Sequence, residues 1–203
     1  MSYLDDSLAH LEIFEGTVPW MYLDTRGFVT VGVGELLANA DKAETLSFVD
    51  PDGEVSTQDA ILDEFNRVSA LVPAKVAAFY RSSTSPLLPH AAIDTLLMNH
   101  LNLFDGQLAA RFPNYASFPD LAKLGLLDMI YNLGQLGLFQ HFPHFMAAVD
   151  KQDWLGAAAN CHRVGPSQAR NDWTRQQFLA AAAAPAPASD SGAAPASSVT
   201  TTG

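Results

Sequence analysis

The sequence predicts an α+β fold, in which a small lobe built around a β-hairpin is followed by a larger, mostly helical lobe. Leucines recur at helical spacing near the start of the chain, and β-branched residues alternate with others between residues 20 and 36. Apolar residues at helical spacing then dominate most of the chain up to about residue 184. With 203 residues, 48% of them hydrophobic, the chain can form one domain of two lobes with a sizeable core.

The first predicted element is an amphipathic helix. Its apolar side chains recur every three or four positions and are Leu4, Leu8, Leu11 and Phe14. Gly16 and Pro19 are expected to end this helix just after Glu15. A carboxylate is unfavourable at the negative end of the helix dipole, so this position favours the protonated form of Glu15.

The next predicted elements are two strands around a turn at residues 24–27. Residues 28–33 alternate β-branched residues with others, and this pattern places Thr30 on the second strand. Gly32 and Gly34 within a strand pattern indicate that another group approaches the backbone closely.

Helices are predicted for the middle of the chain. We expect a long helix capped by Ser56 and running to about Tyr80, and another through the leucines between residues 96 and 103. Residues 121–133 are apolar nearly all round, which is typical of a buried helix, and this helix is expected to end at Gly134.

The end of the chain predicts shorter helices and then a tail. The helices are expected at residues 142–149, 154–161 and 163–184. Residues 185–203 are mainly Ala, Pro, Ser, Thr and Gly, and such a composition predicts a disordered tail. The folded domain is therefore expected to span residues 1–184.

Composition excludes several classes of function. The formal net charge is −11, whereas nucleic-acid binding requires a basic surface, so no nucleic-acid partner is expected. No apolar stretch reaches about 20 residues, so no membrane insertion is expected. The start of the chain lacks the basic and apolar regions of a signal peptide, and the single Cys161 excludes an internal disulfide. These features predict a protein made in the cytoplasm without a signal peptide.

The most informative residues form one pattern, in which Asp24 follows Glu15 by nine residues and Thr30 follows Asp24 by six. The full pattern is Glu15, Gly16, Tyr22, Asp24, Gly27, Thr30, Gly32 and Gly34. It resembles the motif E-G-x-x-x-x-x-Y-x-D-x-x-G-x-x-T-x-G-x-G of the phage-type lysozymes, glycoside hydrolase family 24, and every position matches in register. The stretches LLDMIYNLG and RNDWTRQQF are similar to the central and C-terminal helices of that family. One position departs, because many members carry His where this chain has Glu35.

The resemblance implies a lysozyme-like fold with the active cleft between the two lobes. It also implies cleavage of the β-1,4 bond between N-acetylmuramic acid and N-acetylglucosamine in peptidoglycan. In an inverting muramidase of this type, Glu15 is the general acid, and Asp24 with Thr30 positions the attacking water. No metal or organic cofactor is implied, and a monomer is expected.

Four further residues are candidates for substrate binding. Tyr22 and Glu35 either line the cleft or support its floor. Gly32 is expected to allow a sugar close to the backbone. Asn132 either faces the sugar cleft or caps the helix that ends near Gly134.

Each catalytic candidate also has a purely structural interpretation. Glu15 can form a salt bridge at the helix end with Arg26 or Arg170, and Asp24 can organise the turn through its own side chain. Thr30 also suits a strand by propensity alone. The joint match of all three in register favours the catalytic interpretation.

Three rival functions are weaker. A lytic transglycosylase needs one glutamate and no water, and the Asp24–Thr30 pair disfavours it. A non-catalytic wall-binding module on the same scaffold would be signalled by loss of the acid, but Glu15 is present. Metal binding by His141 and His144 is disfavoured, because a proline separates them and no third ligand is evident.

A wall-cleaving enzyme without a signal peptide needs another route to the wall. Holin-dependent release from a phage-infected cell would make it an endolysin. Injection by a secretion system would make it an antibacterial effector, and a cognate immunity protein would then be an expected partner.

Overall fold

The computed structural model describes residues 2–184; Met1 and the predicted tail, residues 185–203, lie outside the described residues. The described part contains three strands, β1 (Val18–Leu23), β2 (Val29–Gly32) and β3 (Glu35–Leu36). Its helices are α1 (Tyr3–Glu15), α2 (Ala40–Glu44), α3 (Gln58–Ser69), α4 (His90–Arg111), α5 (Asp120–His141), α6 (Pro143–Asp150), α7 (Trp154–Asn160) and α8 (Gln168–Ala183). Two short 3-10 helices cover Ala77–Tyr80 and Tyr115–Ser117. The prediction of an α+β fold is confirmed.

Helix α1 begins and ends as its sequence predicts. The Ser2 side chain accepts the backbone N–H of Asp5, and the Asp5 carboxylate accepts the backbone N–H of Ser2, which completes a capping box. At the other end Gly16 adopts φ 69°, a backbone conformation that residues other than glycine rarely adopt. The chain therefore leaves the helix directly after Glu15.

The three strands form an antiparallel sheet in the order β1-β2-β3. Tyr22 lies opposite Thr30 across β1 and β2, and Thr30 in turn lies opposite Leu36 of β3. The turn closes at Asp24, whose backbone N–H donates to Phe28 O at 2.9 Å. The predicted hairpin is thus confirmed, and its register makes Tyr22 and Thr30 neighbours on one face.

The prediction of a long helix from Ser56 to Tyr80 was wrong at both ends. Thr57 is the N-cap, since its hydroxyl accepts the backbone N–H of Ala60, and α3 ends at Ser69. Pro73 explains the early end, because proline cannot donate to a helix and also restricts the residue before it.

Helix α5 is the central helix of the molecule. Every residue from Ala122 to Ile130 is buried, and the helix packs against α1, α4, α6 and α8. Gly134 breaks it with φ 68° and ψ 167°, after which helix resumes to His141. The predicted end at Gly134 is correct for the first segment, but the second segment was not predicted.

The sheet and the helices share one hydrophobic core. The sheet packs against α3 and the first 3-10 helix, whereas α1 and α4 to α8 pack around α5 and one another. Helix α8 begins at Gln168 rather than at Arg163, because Gly165 and Pro166 interrupt the chain and the Ser167 hydroxyl caps the helix. Within residues 2–184, no helix is both long and apolar enough to cross a membrane.

Candidate active site

Glu15 lies at the last position of α1 and is held by an arginine from α8. Arg170 Nη1 lies 2.7 Å from Glu15 Oε1, and the Glu15 side chain is 25% exposed. Of the two salt bridges that the sequence allowed, the one with Arg170 is present, and Arg26 pairs with Asp24 instead. The carboxyl group at the C-terminal end of α1 is therefore paired with a guanidinium from α8.

Arg170 is itself fixed by a buried carboxylate in the middle of α5. Arg170 Nε donates to Asp128 Oδ1 at 2.7 Å, and Arg163 Nη2 donates to Asp128 Oδ2 at 2.6 Å. The Thr174 hydroxyl also donates to Asp128. Burial raises the pKa of Asp128, but His10, Arg163, Arg170 and Thr174 together hold it well below its usual range. The sequence analysis missed this acid, whose only signal was a charge inside an apolar helix.

His10 joins α1 to the same network. Its ring stacks on Trp173 of α8 with ring centroids 3.3 Å apart, and its Nε2 lies 3.5 Å from Asp128 Oδ1. Both His10 and Asp128 are buried. The helix that ends in Glu15 is therefore anchored to α5 and α8 about one turn before the acid.

Asp24 lies in the turn between β1 and β2 and accepts several hydrogen bonds. Its Oδ1 accepts the backbone N–H groups of Arg26 and Phe28, each at 2.9 Å, and Arg26 Nε donates to Oδ2 at 3.3 Å. Partial burial raises the pKa of Asp24, but these donors outweigh it and the pKa lies below its ordinary value. The turn-forming role is real, and an ionised carboxylate also suits a base.

Thr30 is buried in β2 and is linked to Asp24 through one residue. Its hydroxyl donates to Phe28 O at 3.1 Å, while the N–H of Phe28 donates to Asp24. The hydroxyl oxygen keeps its lone pairs as acceptors after donating its own hydrogen. Tyr22 lies directly opposite Thr30 on the neighbouring strand β1.

The Tyr22 phenol lies within electrostatic reach of both acids of the motif. Burial raises the pKa of Tyr22, and the charges of Asp24 and Glu15 raise it further. Both carboxylates of the motif therefore act on one half-buried phenol, although they belong to different elements. Tyr22 is thus linked to both acids of the motif, and it lies opposite Thr30 on the neighbouring strand.

Tyr131 of α5 belongs to the same region, and sequence reasoning had counted it only as an apolar core residue. Its hydroxyl donates to Val33 O at 3.1 Å, which ties the central helix to the sheet. Burial raises the pKa of Tyr131, with further upward contributions from Glu15, Glu35 and Tyr22. The Tyr131 phenol thus lies within the electrostatic reach of three predicted site residues.

Glu35 lies at the start of β3 and is engaged from two helices. His100 Nε2 lies 2.8 Å from Oε2, and Lys42 Nζ lies 3.2 Å from Oε1. The bond from His100 lowers the pKa of Glu35, burial opposes this, and Lys42 adds to the lowering. With its side chain only 10% exposed, Glu35 supports the interior of the site, which favours the second of its two predicted roles.

Gly32 is buried at the end of β2, and its neighbour is a helix. It adopts φ 67°, and a Cβ added there would lie 3.4 Å from Ile93 Cγ2 of α4. The need for glycine is explained by this backbone conformation and by Ile93. Gly32 has no exposed surface, so the predicted contact between Gly32 and a sugar is not supported.

Asn132 lies on a cavity of about 460 Å³ beside Arg170. The cavity is lined by Phe14, Asn132, Leu133, Val164, Gly165, Pro166, Ser167 and Arg170. Asn132 is exposed, and it precedes the break at Gly134 by two residues. The structure therefore gives Asn132 a cavity-facing position close to the arginine that holds Glu15.

Comparison with known protein families finds no match for this chain, and comparison with curated protein sequences finds none either. The functional interpretation therefore depends on the motif from Glu15 to Gly34 and on the arrangement of its residues.

Proposed function

We propose that this protein is a peptidoglycan hydrolase, a muramidase with a lysozyme-like fold that cleaves the β-1,4 bond between N-acetylmuramic acid and N-acetylglucosamine. The observation that carries the proposal is the in-register motif from Glu15 to Gly34, in which the hairpin places Asp24 at the turn and Thr30 directly opposite Tyr22. Two acids at different positions around one bond are what glycoside hydrolysis requires.

Glu15 is the general acid in this proposal. It is the last residue of a helix, partly exposed, and close to the cavity that contains Asn132 and Arg170. As the general acid it protonates the leaving oxygen of the glycosidic bond, beside the guanidinium of Arg170. After proton donation, the same guanidinium stabilises the carboxylate that remains.

Asp24 and Thr30 position the attacking water. The lowered pKa of Asp24 keeps it ionised, so it accepts a proton from water rather than donating one. The Thr30 oxygen offers a second acceptor for the same water. An inverting reaction follows, because a water held between these two groups attacks the face opposite the bond that Glu15 protonates.

Digestion of purified peptidoglycan by the full chain, followed by mass spectrometry of the products, tests the proposal. A muramidase releases fragments with hydrated reducing ends. A 1,6-anhydro product would support a lytic transglycosylase, and binding without cleavage would support a wall-binding module. Early-time NMR tests the stereochemistry, since an inverting enzyme forms the α-anomer first.

Glu15→Gln is the decisive variant. Loss of a general acid should lower the cleavage rate by about 10²–10⁴-fold, while circular dichroism shows an intact fold. Glu54→Gln is the matched control, because Glu54 is an exposed glutamate outside the motif, and it should retain full activity. A folded Glu15→Gln protein that cleaves at the normal rate would refute the assignment.

The proposal is compatible with two biological settings. A phage endolysin would reach the wall after holin-dependent release, and an antibacterial effector would be injected into a competitor. Only the effector implies an immunity protein, and in either setting the expected active form is a monomer.

A further inference from the structure

A cluster of metal-ligating side chains joins α1 to α4, outside the residues proposed for catalysis. Glu12 of α1 meets His90 and Asp94 of α4, and their candidate ligand atoms all lie within 4.8 Å of one another. His90 and Asp94 lie one helical turn apart and so project from the same face of α4. The set is therefore assembled from two helices that pack together.

The two carboxylates in this cluster are close enough to repel each other. The ligand atoms of Glu12 and Asp94 lie within 4.8 Å of each other. Asp94 Oδ1 is inaccessible to solvent, although the side chain of Asp94 as a whole is 35% exposed. His90 Nδ1 lies 2.9 Å from Asp94 Oδ1 and 3.1 Å from Asp94 Oδ2. Two carboxylates with one imidazole beside both are an arrangement that a cation would stabilise.

We propose that Glu12, His90 and Asp94 bind a divalent transition-metal ion, for which Zn²⁺ is the probe. One imidazole and two carboxylates form a ligand set that suits zinc, with water completing the coordination. In a tetrahedral site with bonds near 2.1 Å, ligand atoms lie about 3.4 Å apart. The side chains must therefore move together by about 1 Å, and their exposure leaves them free to do so, since His90 is 70% exposed and Glu12 is 28% exposed.

The bound ion would act as a clip between two helices. Glu12 lies one turn before Glu15, and His90 is the first residue of α4. Metal binding therefore ties the last turn of α1 to the beginning of α4 and stabilises the folded chain. The site is independent of the proposed muramidase activity, because none of its three ligands belongs to the motif.

The alternative explanation is that the His90 imidazolium itself bridges the two carboxylates. His90 Nε2 lies 3.7 Å from Glu12 Oε1, and its Nδ1 faces Asp94. In that case the cluster is a surface ion-pair network with no affinity for a metal. His144 gives a control, because it is exposed on α6 and is not part of this cluster.

Isothermal titration calorimetry of the untagged full chain with Zn²⁺ tests the proposal. We expect one ion per chain and a melting temperature that rises by roughly 5–10 °C at a hundredfold excess over Kd. Loss of an outer-shell partner typically weakens metal binding by about 10–100-fold, so His90→Ala and Asp94→Asn should each weaken it at least tenfold. His144→Ala should change the affinity by less than about twofold.

Several outcomes would overturn the proposal. Absence of saturable binding by the wild-type chain would leave the imidazolium bridge as the explanation. Unchanged affinity in folded His90→Ala or Asp94→Asn, or an equal loss in His144→Ala, would place any bound zinc elsewhere. Asp94→Asn keeps the shape of the side chain, and circular dichroism of this variant shows whether it is folded, so that weaker binding is not caused by unfolding.

Discussion

Removing the negative charge of Asp128 should destabilise the folded protein strongly. In Asp128→Asn, the shape of the side chain is retained, but Arg163 and Arg170 lose their shared carboxylate. The side chains of Arg163 and Asp128 are 0% and 1% exposed, and that of Arg170 is 6% exposed, so water cannot replace the lost partner. Breaking a buried ion pair from one side costs about 3–5 kcal/mol. For a domain of this size, that loss corresponds to a fall in melting temperature of about 6–20 °C.

Urea unfolding followed by circular dichroism measures this loss, and an exposed ion pair supplies the control. Asp150 accepts two bonds from Arg111, each at 2.9 Å, but the two side chains are 44% and 36% exposed. Asp150→Asn should therefore lose at most about 1 kcal/mol. A loss below about 1 kcal/mol in Asp128→Asn would refute the reasoning, since the burial of the charges would then have no energetic consequence.

The pH dependence of this difference has a definite sign. The folded pKa of Asp128 is lowered from 3.8, so its contribution is fully present above that value and is lost as pH falls through the folded pKa. The difference in unfolding free energy between the wild-type protein and Asp128→Asn should therefore be constant near neutrality and shrink below about pH 4.

Three further predictions concern the site. Glu35→Gln should lower the free energy of unfolding by about 1.5–3 kcal/mol at pH 7, because the hydrogen bond between His100 and the Glu35 carboxylate is weakened. Since the folded pKa of Glu35 is lowered, urea unfolding should show that this loss becomes smaller in acid. Gly32→Ala should destabilise the fold by about 1–2 kcal/mol because of its positive φ, whereas Gly106→Ala, in an open helical position, should stabilise it in the same thermal melts. Thr30→Val should lower peptidoglycan cleavage by about 10²-fold through misplaced water, and near-normal turnover would remove Thr30 from the mechanism.

Local patterns were sufficient to predict the elements that carry the motif. The end of α1 could be placed because Gly16 and Pro19 leave the chain no helical continuation. Gly134 marked the break in α5, but nothing in its local pattern showed that helix resumes after it. The α3 prediction failed where apolar spacing was followed past Pro73, although proline terminates a helix regardless of that spacing.

The charge network around the site could not be predicted, because its members are distant in sequence. Asp128 meets Arg163 and Arg170, which lie 35 and 42 residues further along the chain. Glu35 is matched by His100, which a local pattern cannot connect to it. Such pairs are created by the packing of helices, and only the fold brings them within bonding distance.

Arg170 pairs with two acids, of which Glu15 is the proposed general acid. Arg170 lies between Glu15 and Asp128: its Nη1 is 2.7 Å from Glu15 Oε1, and its Nε is 2.7 Å from Asp128 Oδ1. Asp128 is almost fully buried and its pKa lies well below the usual range, whereas the side chain of Glu15 is 25% exposed. Asp128 carries one negative charge and is shared by Arg163 and Arg170, so Glu15 supplies the second carboxylate that pairs with these two guanidiniums. In the proposed muramidase, Asp128 keeps Arg170 in place, and Arg170 pairs with the Glu15 carboxylate that remains after proton donation.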